Sequence, residues 1–185
     1  MAQATPFLSD VKELRRRARE NMMRGSVTSD YKGDVGRAVD VLNQALATEL
    51  VCVLRYKRHF YMARGIAKDA VANEFLAHAN EEQQHADMIA DRITQLGGEP
   101  NFNPEGLSTR AHSEYVEGDD LIDMIKENLV AERIAIESYR EMIRFFGEND
   151  PTTRRMLEQI LAVEEEHAND MVDLLEQHGA DGQVR

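Results

Sequence analysis

The sequence predicts an all-α fold in which four long helices form a bundle, with a long crossover between the second and third helices. Apolar residues recur at three- and four-residue spacing in four segments of roughly 27 to 31 residues, as in helices that bury one face. Residues that start or stop helices stand at most of the segment ends. The links are short at 65–67 and 147–150 but long at 98–118. These features predict two antiparallel hairpins joined by one crossing segment.

The first hairpin is predicted between residues 34 and 98. Asp34 can cap a helix that Gly65 can end. A second helix runs from about Lys68 to the stop at Gly97 and Gly98. The apolar positions that predict the buried face of the first helix are Val35, Ala38, Val41, Leu42, Ala45, Leu50 and Val53.

The second hairpin is predicted from residue 119 onward. Asp119 and Asp120 carry carboxylates that suit a helix amino terminus, and Gly147 can end the helix that they begin. Asp150 can cap the fourth helix with Pro151 at its first position, where the amide that proline lacks would be unpaired anyway.

The middle link is long enough to cross the bundle. Residues 98–118 contain Pro100 and Pro104 and show no sustained periodicity. A helix of about 30 residues is about 45 Å long. Some 20 extended residues can cover that distance. The link is therefore expected to run along the full length of the helices.

The length and composition of the chain limit the classes of protein to which it can belong. A chain of 185 residues can bury a core as one domain, and its net charge of -12 argues against bulk affinity for nucleic acid and suits a protein that attracts cations. Cys52 is the only cysteine, which excludes an internal disulfide. No apolar run approaches the roughly 18 residues of a membrane span, and the first residues do not resemble a signal peptide. We expect a soluble, cytoplasmic protein with no membrane partner.

The amino-terminal residues differ in charge from the rest. Residues 1–28 hold six basic and three acidic residues, so residues 1–30 are predicted to be a basic, helical extension of a bundle domain at 31–185. Val11, Leu14 and Ala18 recur at helical spacing, which favours packing on the bundle or on a neighbouring subunit. Flexible cationic tails can also hold DNA phosphates. The acidic remainder opposes DNA binding, which is the less favoured interpretation.

The same short motif occurs twice. Glu82 is followed three residues later by His85, and Glu164 is followed in the same way by His167. The motifs match at an offset of 82 residues, with further identities between 82–97 and 164–179. The helices before them also match, since Tyr56 lies seven residues after Glu49 and Tyr139 lies seven residues after Glu132. Seven residues are close to two turns, so each Glu shares a helix face with its Tyr.

Charge and geometry together predict a metal site. Glu49 and Glu132 lie on or beside apolar helix faces, where isolated carboxylates are costly and clustered ones repel each other. A Glu and a His at i and i+3 project from one side of a helix. Two such helices and one Glu from each of the others supply four carboxylates and two imidazoles. That set can hold two divalent cations and offset their charge.

These motifs resemble the ferritin-like superfamily over residues 34–178, with particular likeness to bacterioferritin and the Dps-like ferritins. The resemblance implies metal ligation by Glu49, Glu82, His85, Glu132, Glu164 and His167. It further implies that Glu82 and Glu164 bridge two iron ions, and that Tyr56 and Tyr139 hydrogen-bond ligand carboxylates. Manganese or zinc can occupy such oxygen and nitrogen sites in an isolated protein.

The function that the resemblance implies is ferroxidation and iron storage. Fe(II) would be oxidised at the paired site by dioxygen or hydrogen peroxide, and Fe(III) would be stored inside a homo-oligomeric shell. Gln83 stands where bacterioferritin carries its haem-binding methionine, so no haem is expected. No fifth helix of the kind associated with 24-subunit shells is predicted after the fourth, so we expect 12 subunits in preference to 24.

Other functions stay open at this point. A rubrerythrin-like peroxidase would use the same site, but Cys52 alone cannot build the cysteine-ligated iron module usual in that family. A di-manganese catalase would keep the ligands and change the metal. A purely structural bundle would leave the clustered carboxylates without a purpose. Among single residues, His78 is interpreted as a surface residue, Glu81 as surface or access-path charge, and Cys52 as a small core residue.

Overall fold

The structure is a computed structural model that describes residues 10–63 and 68–178. The helices are α1 (Val11–Arg17), α2 (Val35–Met62), α3 (Lys68–Gln95), α4 (Leu107–Arg110), α5 (Leu121–Phe146) and α6 (Pro151–His178), with a 3-10 turn at Met22–Arg24. The four long helices have 26 to 28 residues each. The part of the chain that the structure describes contains no strand, so the predicted all-α bundle is confirmed.

The long helices begin where the capping residues predict. Asp34 accepts a hydrogen bond from the Arg37 amide at 3.0 Å, and Asp120 accepts one from the Asp123 amide at 2.9 Å. Gly147 ends α5 with φ of 47°, a conformation that costs glycine little because it has no Cβ. The predicted stop at Gly65 lies outside the described residues; α2 ends at Met62.

The core is divided into two apolar clusters. The first contains Leu42, Leu46, Ile89, Ile93, Tyr139, Met142, Phe146, Leu157 and Ile160, and the second contains Tyr56, Val71, Phe75, Met124, Ile125, Met171 and Leu175. Each long helix contributes to both clusters. The crossover leaves α3 beside the first cluster and reaches α5 beside the second. It therefore runs along the bundle, as its length predicts.

Helix α2 holds the crossover in place through buried polar side chains. The guanidinium of Arg55 donates to Asn128 Oδ1 at 2.9 Å and to the Glu114 carbonyl at 3.0 Å. The Thr48 hydroxyl accepts a hydrogen bond from the His112 amide at 2.9 Å. Arg55 is fully buried, which nothing in the sequence pattern indicated. Its fixed donors give the link a defined path across the helices.

A second polar cluster closes the end of the bundle. Arg92 donates to both carboxylate oxygens of Asp150, at 2.9 and 3.1 Å, and to the Thr153 hydroxyl at 2.7 Å. Asp150 also accepts hydrogen bonds from the Thr153 amide at 2.9 Å and the Tyr31 hydroxyl at 3.0 Å. This cluster joins α3, α6 and the segment before α2.

The amino-terminal segment is attached to the bundle after α1. Val27 is buried in the first apolar cluster, and the Ser26 hydroxyl donates to the Gln95 carbonyl at 2.8 Å. Helix α1 itself has no buried residue, and Val11 and Leu14 are exposed. Within the described ranges, none of the helices is long and apolar enough to cross a bilayer.

Candidate metal centre

The six predicted ligand residues meet at mid-bundle, between the two apolar clusters. Glu49 comes from α2 and Glu132 from α5, while α3 and α6 each supply one Glu-x-x-His pair. All six side chains belong to residues that are at most 5% exposed. The i, i+3 spacing turns each Glu and His to the same side of its helix.

The ligand atoms form two groups that share two residues. One group contains Glu49, Glu82, His85 and Glu164, and the other contains Glu82, Glu132, Glu164 and His167. Within each group, one oxygen or nitrogen atom from every residue lies within 4.8 Å of the others. Glu82 and Glu164 belong to both groups. Such an arrangement suits two cations held side by side by two shared carboxylates.

The individual distances show how the shared carboxylates divide their oxygens. His85 Nδ1 lies 2.8 Å from Glu164 Oε1, 3.3 Å from Glu82 Oε2 and 3.6 Å from Glu49 Oε2. His167 Nδ1 lies 3.6 Å from Glu82 Oε1 and 4.0 Å from Glu164 Oε2. It lies 3.9 Å from Glu132 Oε2. Each shared carboxylate thus turns one oxygen toward each histidine.

Several of these atoms have no hydrogen-bond partner. They are Glu49 Oε2, Glu82 Oε1, Glu132 Oε2 and His167 Nδ1, while Glu164 Oε1 makes its close contact with His85 Nδ1 at 2.8 Å. A buried polar atom left unpaired costs roughly 1 to 3 kcal/mol. Cations between these atoms would satisfy all of them, so the donor set fits a pair of divalent metal ions. The atoms are oxygens and imidazole nitrogens, which suit iron, manganese and zinc.

The two tyrosines contact carboxylates on the opposite helix. The Tyr56 hydroxyl on α2 donates to Glu132 on α5, and the Tyr139 hydroxyl on α5 donates to Glu49 on α2. The sequence placed each Tyr on one face with its own helix's Glu, but the hydrogen bonds cross between helices. Each tyrosine holds one oxygen of its Glu and leaves the other free to face the centre.

His167 is oriented by a further carboxylate. Its Nε2 lies 2.7 Å from Glu81 Oε2, so the Nε2–H group donates to Glu81 and leaves Nδ1 facing the centre as the ring nitrogen available to a cation. Glu81 is half-buried.

Clustering of the carboxylates perturbs their protonation. Burial, reinforced by the charge of Glu82, raises the pKa of Glu49 to about 8 and raises the pKa of Glu164 well above its usual range. Burial lowers the pKa of His85, but its contacts with Glu164 and Glu49 outweigh burial and raise the pKa to about 12. Without metal, the centre therefore holds protons at neutral pH that cations would displace.

The prediction that His78 lies at the surface was wrong. This residue is 2% exposed, with its ring stacked on His167 at a centroid distance of 3.8 Å and Nδ1 3.2 Å from the Tyr56 hydroxyl oxygen. Burial and the adjacent His167 lower the pKa of His78 to about 4. One signal could have found it, since His78 lies four residues before Glu82 and hence on the same helix face.

Cys52 is buried, as predicted for a small core residue. Its sulfur lies 3.7 Å from the Ser113 hydroxyl and accepts a contact from Arg55 at 3.5 Å. Burial raises the pKa of the Cys52 thiol well above its usual value, which keeps the sulfur protonated and unreactive.

Comparison with known proteins places this geometry in a family. A family model described as a ferritin-like domain matches residues 39–178. The chain is 31% identical to the bacterioferritin of Mycobacterium avium over 137 residues, which are 74% of this chain and 79% of that protein. It is thus similar in sequence over most of its length to a curated relative.

Solved structures show the same likeness. A dodecameric thioferritin, the bacterioferritin-related protein from Bacteroides fragilis, superimposes with a TM-score of 0.76 at 36% identity, over 79% of this chain and 88% of that one. The bacterioferritin of Desulfovibrio desulfuricans, described with its diiron site in different catalytic states, superimposes with a TM-score of 0.66 at 26% identity, over 78% of this chain and 83% of that one.

Proposed function

The chain belongs to the ferritin-like family, and we propose that it is a ferroxidase and iron-storage protein. In this proposal each subunit binds two Fe(II) ions at the paired site and oxidises them with dioxygen or hydrogen peroxide. Fe(III) is then stored within a closed homo-oligomeric shell. The bacterioferritin and ferritin-like relatives support the general activity.

One observation carries the assignment of the site. Two groups of ligand atoms share Glu82 and Glu164, and several atoms of the set are buried without a hydrogen-bond partner. We assign ligation to Glu49, Glu82, His85, Glu132, Glu164 and His167, with Tyr56 and Tyr139 holding two of the carboxylates. Four carboxylates offset the charge of two divalent cations.

The chemistry follows from the substrate and the donor set. Each Fe(II) gives up one electron, so a pair supplies the two electrons that, with two protons from solvent, convert dioxygen to hydrogen peroxide or hydrogen peroxide to two waters. Anionic oxygen ligands stabilise Fe(III) more than Fe(II), which favours oxidation at this site. The protein's own part is to hold the ligands in place and to keep the charge balanced.

Storage requires an enclosure, because the ferric product is insoluble at neutral pH. The Bacteroides fragilis relative is dodecameric, which supports our preference for 12 subunits over 24. Much of the chain's surface charge is acidic, and a net charge of -12 suits a shell that attracts cations. Haem has no part in the proposal, because Gln83 lacks the thioether that would ligate it.

Two measurements on the full-length protein test the proposal. The rate of Fe(II) oxidation should exceed the spontaneous rate in the same buffer, and the native mass should correspond to a closed shell that retains ferric iron in solution. A stable monomer or dimer that precipitates its ferric product would contradict storage. That result would favour a rubrerythrin-like peroxidase or a di-manganese catalase, which the same oxygen and nitrogen donors could support.

A further inference from the structure

A second group of metal-ligating side chains lies beside the paired site but shares none of its ligands. His78 Nε2 is 3.3 Å from Asp170 Oδ2 and 3.4 Å from Glu74 Oε1. One donor atom from each of these residues lies within 4.8 Å of the other two. The group joins α3, which carries Glu74 and His78, to α6, which carries Asp170.

The hydrogen bonds around His78 indicate which of its ring nitrogens carries the proton and which carries the lone pair. The Tyr56 hydroxyl donates its proton to Glu132, and in that arrangement its oxygen accepts from His78 Nδ1–H at 3.2 Å. A neutral His78 then has a bare Nε2, which points at two carboxylate oxygens. Lone pairs that face each other at this distance repel, and a shared cation would turn all three groups into ligands.

The internal repeat shows that this group is an addition to the paired site. At the offset of 82 residues that matches the two Glu-x-x-His motifs, Glu74 corresponds to Met156, His78 to Ile160, and Asp170 to Met88. All three counterparts are apolar and pack in or against the first apolar cluster. Ligation of the paired metals therefore does not require polar residues at these positions.

Solvent reaches this group of three residues from the side of its two carboxylates. The side chains of Glu74 and Asp170 are 39% and 38% exposed, whereas that of His78 is 2% exposed. The inner face of the group meets the paired site, because the His78 ring stacks on His167 at 3.8 Å. A hydrated cation can thus reach the carboxylates from solvent and lose water as it meets the imidazole.

From these contacts we propose that Glu74, His78 and Asp170 form a third site, which takes up one divalent cation per subunit. Two carboxylates and an imidazole suit Fe(II), Co(II), Mn(II) or Zn(II). Where the paired site acts as proposed above, the third site captures Fe(II) for the His167 side. That delivery role rests on the proposed function, whereas binding at the third site does not.

Co(II) binding to the metal-free, full-length protein tests the site. The double variant E74Q/D170N keeps side-chain size and removes both anionic ligands. The matched control D91N/D173N makes the same charge change at exposed positions on the same two helices. We expect wild type and control to bind one more ion per subunit than E74Q/D170N. Equal stoichiometry in all three proteins would overturn the third site.

The stoichiometries also separate this inference from the proposed function. Three ions in wild type and two in E74Q/D170N support both sites. One ion in wild type and none in the double variant would keep the third site and refute the paired one. H78Q should lose the same ion as E74Q/D170N, and full retention of that ion in H78Q would contradict ligation by the imidazole.

The delivery role has a kinetic readout. At Fe(II) concentrations well below saturation, oxidation by E74Q/D170N should be slower than by the control by roughly tenfold, since local attraction of cations raises association rates on that scale. At saturating Fe(II) the two rates should converge. A rate deficit that persists at saturation, or none at any concentration, would refute delivery while leaving the binding result standing.

Discussion

The His85 side and the His167 side of the paired site are related by the internal repeat, yet their surroundings differ. His85 lines a surface pocket whose other walls are apolar side chains, two glutamines and one carboxylate, namely Met88, Ile160, Val163, Gln84, Gln159 and Glu81. His167 instead stacks on His78 and donates to Glu81, with Asp170 beyond. The ligand residues on the two sides match each other in the internal repeat, whereas the residues around them do not.

This difference distinguishes the residues that would bind the paired metals from the residues that affect how metal reaches them. Both sides need a carboxylate, an imidazole and two shared carboxylates, so the repeat preserves those residues. The pocket at His85 has one carboxylate, Glu81, whereas the His167 side adds Glu74 and Asp170 at His78, and a more acidic flank raises the local concentration of cations. The comparison therefore predicts that metal reaches the pair from the His167 side.

Removal of a shared carboxylate should abolish the function of both sides at once. For Glu82→Ala and for Glu164→Ala we expect ferroxidase activity to fall by about 100-fold or more, because each residue faces both metal positions. Initial rates of Fe(II) oxidation check this. Glu166→Ala, at an exposed position two residues from Glu164, is the control and should keep its rate. Unchanged rates in both ligand variants would end the assignment.

Removal of one imidazole should affect one side only. We expect His85→Ala and His167→Ala each to reduce metal bound at the pair from two ions to one. His167→Ala also removes the ring that stacks on His78 and the Nε2–H group that donates to Glu81. Its unfolding temperature should therefore be lower than that of His85→Ala by roughly 2 to 4 °C. Elemental analysis and thermal scans measure the two effects. Equal unfolding temperatures would mean that the flanks contribute nothing to stability.

Metal binding should matter more to stability as the pH rises. Glu49 has a raised pKa of about 8 in the folded, metal-free protein, so the stability it contributes is complete in acid and is lost as the pH rises to about 8. The metal-free unfolding temperature should therefore fall over that interval, and bound metal should reverse the loss.

Glu49→Gln supplies the control for this pH dependence, because its amide cannot titrate. The metal-free variant should show a shallower fall in unfolding temperature between pH 5 and 8 than the metal-free wild type. A metal-free wild type whose unfolding temperature is constant or rises across that range would contradict a cluster of buried, protonated carboxylates.

The smallest effects should come from the two tyrosines, and they should be unequal. Tyr139→Phe removes one hydrogen bond to Glu49, at a cost of about 1 kcal/mol. Tyr56→Phe removes the bond to Glu132 and also the acceptor for His78 Nδ1, so it should destabilise the protein more. Chemical unfolding of the two metal-free variants compares them. An equal loss of stability would show that His78 does not depend on Tyr56.

Much of the fold could be predicted from the sequence because its causes are local. The 3.6-residue period, the caps at Asp34, Asp120 and Asp150, and the stop at Gly147 are set by neighbouring residues, and the structure confirms the helices that they predict. The crossover was predictable because chain length limits reach. The six residues that meet at mid-bundle were predicted from a doubled motif and from the cost of burying charge.

Other features were decided by tertiary structure alone, because they depend on pairs far apart in the chain. The crossed Tyr56–Glu132 and Tyr139–Glu49 bonds reflect how α2 faces α5, and helix spacing within α2 or α5 cannot reveal it. The same holds for the burial of Arg55 under the crossover. His78 looks like a surface residue by composition, and only the approach of α6 encloses it between His167 and Asp170. Local periodicity determines which face of a helix is apolar, but which polar residue of another helix meets that face depends on how the helices pack together.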